Sequence, residues 1–166
     1  VDSAANDLNH GSQIALGFEC PLFVPVRDDP EKLSQARDGE GNRPWSAGAG
    51  CGALCVGLTQ VIWILDNLRQ SLVVETPAFL SWSAFRAAKR GLFLWEAFVS
   101  GKAKGRDDLD DAEKAIRCFP GFYPDPTVAN AIHENRVYSL IGAALLRTGW
   151  SEDLTLLSKP CLVIKA

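Results

Sequence analysis

Apolar residues come in short bursts along this chain, and their spacing changes from one burst to the next. The run QIALGF at 13–18 predicts a short strand, and it ends directly in Glu19-Cys20-Pro21. Proline removes a ladder donor, so that strand stops with a carboxylate held at its tip. Residues 22–26, between Pro21 and Pro25, continue as an extended segment. Over 51–69, Leu54, Cys55, Leu58, Val61, Ile62 and Leu65 recur at helical spacing. LVVE at 72–75 predicts a strand closed by Thr76-Pro77. Residues 81–90 predict a helix, with Lys89-Arg90-Gly91 as its stop signal. LFLWEAFV at 92–99 is apolar on both faces except at Glu96. It reads as strand in its first part, although a helix starting near Leu92 suits the periodicity as well. In DDLDDAEKAIRCF at 107–119, Leu109, Ala112, Ile116 and Phe119 fall on one stripe. Asp107 or Asp108 serves there as N-cap, and the early acids suit the positive end of the helix dipole. A helix at 137–147, a capped turn at 150–157 and a strand at 161–164 complete the order. Strands alternating with helices imply an α/β domain with a largely parallel sheet.

The stretches between are as informative. Residues 27–50 are polar and glycine-rich, a loop long enough to be mobile or functional. Residues 120–136 predict a proline-rich loop with one short helix. Residues 1–13 read as the end of a helix followed by a turn at Gly11-Ser12, the remnant of a preceding helix or of a truncated N-terminal part.

Composition narrows the class. A chain of 166 residues makes one domain, able to bury about two-thirds of its unfolded surface. Hydrophobic content of 47% and a mean hydropathy of +0.01 suit a soluble core-forming protein. The net charge of −3 supplies no global attraction to nucleic acid or anionic membrane. Five cysteines without a compact framework read as reduced thiols in a cytoplasmic setting. No run reaches the roughly 18 uninterrupted apolar residues of a membrane span, and no signal peptide opens the chain. Methionine is absent altogether, so residues missing from the string are expected.

Acids mark the ends of the predicted elements: Glu19 after the first strand, Glu96 within LFLWEAFV, and Asp108 and Asp111 at the helix start. Ligands of α/β sheets collect outside the carboxyl ends of parallel strands. Carboxylates meeting there repel unless a proton or cation relieves them. Hard divalent cations take such oxygens together with phosphate oxygens, and paired metals of that kind cleave phosphodiesters. Phosphate contacts are expected from Arg37 and Arg43 on the long loop and from Lys102, which stands with Lys104 and Arg106 just before the acids. The GAGCG run is a weaker candidate for an anion cradle, lacking the P-loop lysine and a preceding strand. The bland alternatives are caps for Asp108 and Asp111, an arginine partner for Glu19, and pairing of Arg37 and Arg43 with Glu40 and Asp38. Cys51 and Cys55 lack a second pair at zinc spacing. His10, His133 and Ser46 lack the context of nucleophilic catalysis.

A strand ending in acid-x-Pro, a later acid-bearing strand and D-x-x-D-A opening a helix together resemble the ribonuclease-H-like superfamily, including the Holliday-junction resolvases. More closely, GFECPLFVP, SAGAG, LFLWEAFVSGKAKG, DDAE and PCLVIKA resemble the domain-of-unknown-function 429 family over most of residues 14–166. The resemblance implies a ribonuclease-H-like mixed sheet flanked by helices, and Glu19, Asp108 and Asp111 at metal-binding positions for Mg or Mn. That fold opens with an aspartate-bearing strand and two antiparallel strands, which residues 1–13 do not supply. The opening strands are therefore expected to be missing from the chain, or the first ligand to be lacking. The function expected is a metal-dependent nuclease or phosphodiester hydrolase, with Glu19 and Asp111 holding the metal and Asp108 or Glu96 assisting. The alternative is a non-catalytic protein of the same fold that binds a partner or a small phosphorylated ligand. Nucleic acid is a partner class that the net charge does not favour, no membrane is expected, and self-association is left open.

Overall fold

The computed structural model describes residues 1–42, 44–99 and 104–165, with the backbone alone of Asp108. In chain order its elements are α1 (Asp2–Asn9), β1 (Gln13–Phe18), β2 (Phe23–Pro25), α2 (Gly48–Ser71), β3 (Ala78–Phe79), α3 (Trp82–Ala87), β4 (Gly91–Phe98), α4 (Asp108–Cys118), β5 (Val137–Ser139), α5 (Leu140–Arg147) and β6 (Leu162–Lys165). Short 3₁₀ turns occupy parts of the loops. The protein is thus mixed α/β, with a parallel sheet and a small antiparallel one.

β4 is the spine. It pairs in parallel with β1 from Gln13↔Gly91 to Phe18↔Glu96. Along its other edge it pairs in parallel with β3 and then with β6. Every residue from Gly91 to Ala97 is buried. A strand covered on both faces has no polar side to show, which explains why LFLWEAFV lacks alternation. The pleat nevertheless sorts its side chains. Leu92 and Leu94 join one core with Leu8, Val61, Leu65, Ile141 and Leu145 from α1, α2 and α5. Phe93, Trp95 and Ala97 join the other with Trp82, Phe85, Ala115 and Phe119. Helices therefore cover both faces. The antiparallel pairing expected within one mixed sheet lies apart, in the ladder of β2 with β5. Among the described residues no strand pairs the outer edge of β1.

Three expectations are corrected. LVVE at 72–75 is not a strand, and Val73 is 84% exposed. The ladder begins beyond Pro77, whose carbonyl accepts the Leu92 N–H, because burial against β4 rather than local β-propensity selects the paired residues. Val137–Ser139, expected as helix, pairs instead with β2, and Ser139 accepts the Gly142 N–H to start α5. In α4 the expected apolar stripe is buried only at Phe119, 6% exposed, while Leu109 is 71% exposed and Ile116 67%. The buried face runs through Asp111, Ala115 and Phe119.

α2 is the longest element, and by length and composition alone it could cross a membrane. Its Val61, Leu65 and Leu68 are buried at helical spacing. Thr59 and Trp63 face outward.

Candidate functional site

The carboxyl ends of β1 and β4 lie side by side, since Phe18 is in register with Glu96. Glu19 follows β1 at that end, and Pro21 prevents the ladder from continuing past it. The start of α4 is assembled around its own acids. Asp107 is the N-cap and accepts the Asp110 N–H at 2.9 Å. Asp110 accepts the Arg106 N–H at 3.0 Å, and Asp111 accepts the Gly105 N–H. Gly105 has to be glycine for this approach, because a Cβ there would come within 2.7 Å of the Asp110 side chain. The helix start expected at Asp107 or Asp108 is therefore confirmed at Asp107, and its cap explains the acid-rich first turn.

Asp111 is only 2% exposed. The Gly105 N–H holds its carboxyl below the usual aspartate range, against the effect of desolvation, and the Lys104 ammonium helps. Lys104 Nζ lies 3.3 Å from Asp111 Oδ2 and 3.9 Å from Glu19 Oε1. Two acids 92 positions apart in sequence thus converge on one positive group. A pocket of about 90 Å³ adjoins them, walled by Glu19, Lys104, Glu96 and the first turns of α2 at Ala49, Gly50 and Ala53. α2 starts at Ala47 without a side-chain cap, so its positive end is not offset by a capping side chain.

Glu96 and Arg37 are placed differently from what their residue types suggested. Arg37 donates from Nη2 to Glu96 Oε1 at 2.6 Å and from Nη1 to Glu96 Oε2 at 2.8 Å. Glu96 Oε2 also accepts the Leu22 N–H at 2.9 Å. The Arg37 Nε donates to Glu40, whose other oxygen accepts the Arg37 N–H. Burial pushes the Glu96 carboxyl up, while Arg37 pulls it back down. Burial would lower the Arg37 guanidinium, but its two carboxylates outweigh that and raise it. Glu96, expected to be catalytic, and Arg37, expected to bind phosphate, are partners with Glu40 in a buried network that ties the loop around residues 37–40 to β4. A fork committed to two carboxylates has little left for a phosphate.

Arg43, Lys102 and the side chain of Asp108 lie outside the described residues. Among the described residues no group of three His, Cys, Asp or Glu is arranged to hold a metal ion. Glu19 and Asp111 remain as an all-oxygen pair, which is the donor chemistry of Mg²⁺ or Mn²⁺ held by one or two carboxylates plus phosphate oxygens.

Cys20, next to Glu19, is no ready nucleophile: burial first, then Glu96 and Glu19, push its thiol up to about 12. Trp82, Trp95 and Trp150 are core residues, whereas Trp63 is 61% exposed. Tyr123 packs edge-on against Trp82, with ring centroids 5.6 Å apart.

Two side chains of the candidate site were only partly visible in the sequence. Glu40 was a possible partner of Arg37 by its spacing alone. Lys104 was one of three nearby cations, with nothing in the string to single it out. Comparison with family models, with curated proteins and with solved structures finds no match to this chain.

Proposed function

We propose that this chain is a ribonuclease-H-like domain of the domain-of-unknown-function 429 type that hydrolyses phosphodiesters in nucleic acid with Mg or Mn. Glu19 and Asp111 are the residues that would hold the ion. The observation that carries the reading is their convergence on one cationic group beside the carboxyl ends of two parallel strands. A divalent ion held by Glu19 and Asp111 would supply Lewis-acid activation of the phosphodiester and of water. The chain's own residues do the rest. The Gly105 N–H keeps Asp111 ionised. Lys104 and the start of α2 supply positive potential for a phosphate at the adjoining pocket. The Arg37–Glu96–Glu40 network fixes the loop that closes that pocket's far side. A net charge of −3 supplies no long-range attraction to nucleic acid, so the contacts would have to be local ones at this site. The cytoplasm is the compartment that goes with this reading, supported by five cysteines without a compact disulfide framework.

The second reading is a non-catalytic member of that fold that binds a small phosphorylated ligand. The locking of Glu96 favours it, since that leaves fewer acids for a metal. Cleavage assays with branched and RNA–DNA hybrid substrates in Mn²⁺ separate the two. Loss of cleavage in E19Q and D111N supports hydrolysis. A thermal shift with nucleotides, none with Mn²⁺ and no cleavage by the wild-type chain would establish the binding protein instead.

A further inference from the structure

Lys104 occupies an unusual position for a residue in a loop. Arg106 and Lys114 approach Asp110 at 3.8 and 3.7 Å, and Lys114 adds a smaller effect on Asp111. Lys104 reaches past them to Asp111 and Glu19. Its side chain is 48% exposed, so a flexible four-carbon stem carries the charge from solvent to a carboxylate that is itself 2% exposed. Asp111 also accepts the Gly105 N–H.

We infer that the Lys104 ammonium holds the place between Glu19 and Asp111 that a divalent cation would take, so that cation entry and lysine departure are a single exchange. This rests on the metal-binding reading of the pair proposed above. An ion coordinated by both carboxylates would stand within a few ångströms of the ammonium, and like charges at that separation repel strongly where one wall is dry. One of them has to leave. Lys104 also lines the pocket that Ala49 and Gly50 border at the start of α2, and that pocket is where the displaced ammonium meets a substrate phosphate. The ammonium would then offset part of the charge of the two acids while no ion is bound, and the site would accept the ion readily only when a phosphate arrives to take the lysine.

The test is Mn²⁺ binding to the purified chain, followed by the electron paramagnetic resonance signal of free Mn²⁺ without substrate or turnover. K104M and K104Q should bind Mn²⁺ about tenfold more tightly than wild type, and K104R, which keeps the charge, should stay close to wild type. Inorganic phosphate should tighten Mn²⁺ binding in wild type and do so less in K104M. The gain in K104M must disappear in K104M/E19Q and K104M/D111N. Equal or weaker binding by both K104M and K104Q overturns the exchange while leaving a metal site in place, as does a gain that survives loss of either acid. Absence of Mn²⁺ binding in wild type and in both lysine variants overturns the metal reading itself, and the exchange with it. Far-ultraviolet circular dichroism of each variant checks that the chain is folded.

Discussion

Arg37 and Glu96, 59 positions apart, face each other through two parallel hydrogen bonds of 2.8 and 2.6 Å, with side chains at most 1% exposed. One belongs to a polar loop and the other to the central strand. Each is tolerable inside the protein only because of the other, since an uncompensated buried charge is strongly unfavourable.

Removing the arginine alone should therefore be severe. R37M leaves Glu96 and Glu40 buried without their cation, and the expected loss is about 3–5 kcal/mol. E96Q keeps an acceptor for the Leu22 N–H and should lose less, about 1–3 kcal/mol. Urea unfolding of the two variants measures both. A loss below about 1 kcal/mol in R37M would mean that the pair is solvated and the loop unpinned.

The acid limb of stability should carry the signature of Asp111. Its carboxyl titrates below the ordinary aspartate value in the folded chain, because of the Gly105 N–H and then Lys104. A depressed folded value means that the folded state binds the proton less readily than the unfolded one. The stabilisation is present above the unfolded value, near 3.8, and is lost as pH falls through the lower folded value. The stability gap between wild type and D111N should thus be largest near neutrality and close at low pH. Asp153 is depressed in the same direction by the hydroxyl and N–H of Thr155, so D153N serves as a comparison far from the site. A gap between wild type and D111N that does not change with pH, measured by thermal melts, would contradict the assignment.

Two glycines of α2 should respond oppositely to alanine. A Cβ at Gly57 would come within 2.6 Å of Cys20 Sγ, whereas nothing lies within 4 Å of one at Gly52. Alanine gains about 1 kcal/mol of helix propensity over glycine. G52A should realise most of that gain. In G57A, overpacking of about 1–3 kcal/mol outweighs it, and the displaced Cys20 pulls on its neighbour Glu19. C20G, which removes the Cys20 Cβ lying nearest the added methyl as well as its Sγ, should recover stability non-additively when combined with G57A. Equal melting temperatures for G52A and G57A would refute close packing at Gly57.

The turned face of α4 is testable in the same way. L109S should change stability by no more than about 0.5 kcal/mol. F119A, which empties a site packed against Trp82, Phe93 and Trp95, should lose about 3–5 kcal/mol. The reverse ranking in denaturant unfolding would restore Leu109 to the core.

These elements show what each level of description decides. The limits of β1, the burial of β4, the cap of α4 at Asp107 or its neighbour Asp108 and most of α2 were legible in the string, because each follows from neighbours within one strand or a few helical turns. A proline stops a ladder, a two-sided apolar run demands cover, and a short acid satisfies an N–H three residues on. The misreadings at 72–75, at 137–139 and along α4 share one cause. Local pattern offered a plausible face, but competition for burial against β4 and β2 chose another.

The site divides along the same line. That Glu19 and Asp111 carry unusual positions was readable from a strand tip and a helix start. Which acid meets which base was not. Glu96 and Glu19 are both carboxylates near the end of a strand; one received a buried arginine and the other a half-exposed lysine, because the 27–47 loop folds over β4 and the chain before α4 returns beside β1. Hydrophobic period and capping act over a few residues and are written in order along the chain. Charge pairing depends on through-space distances of 3–4 Å, and only the tertiary fold sets those.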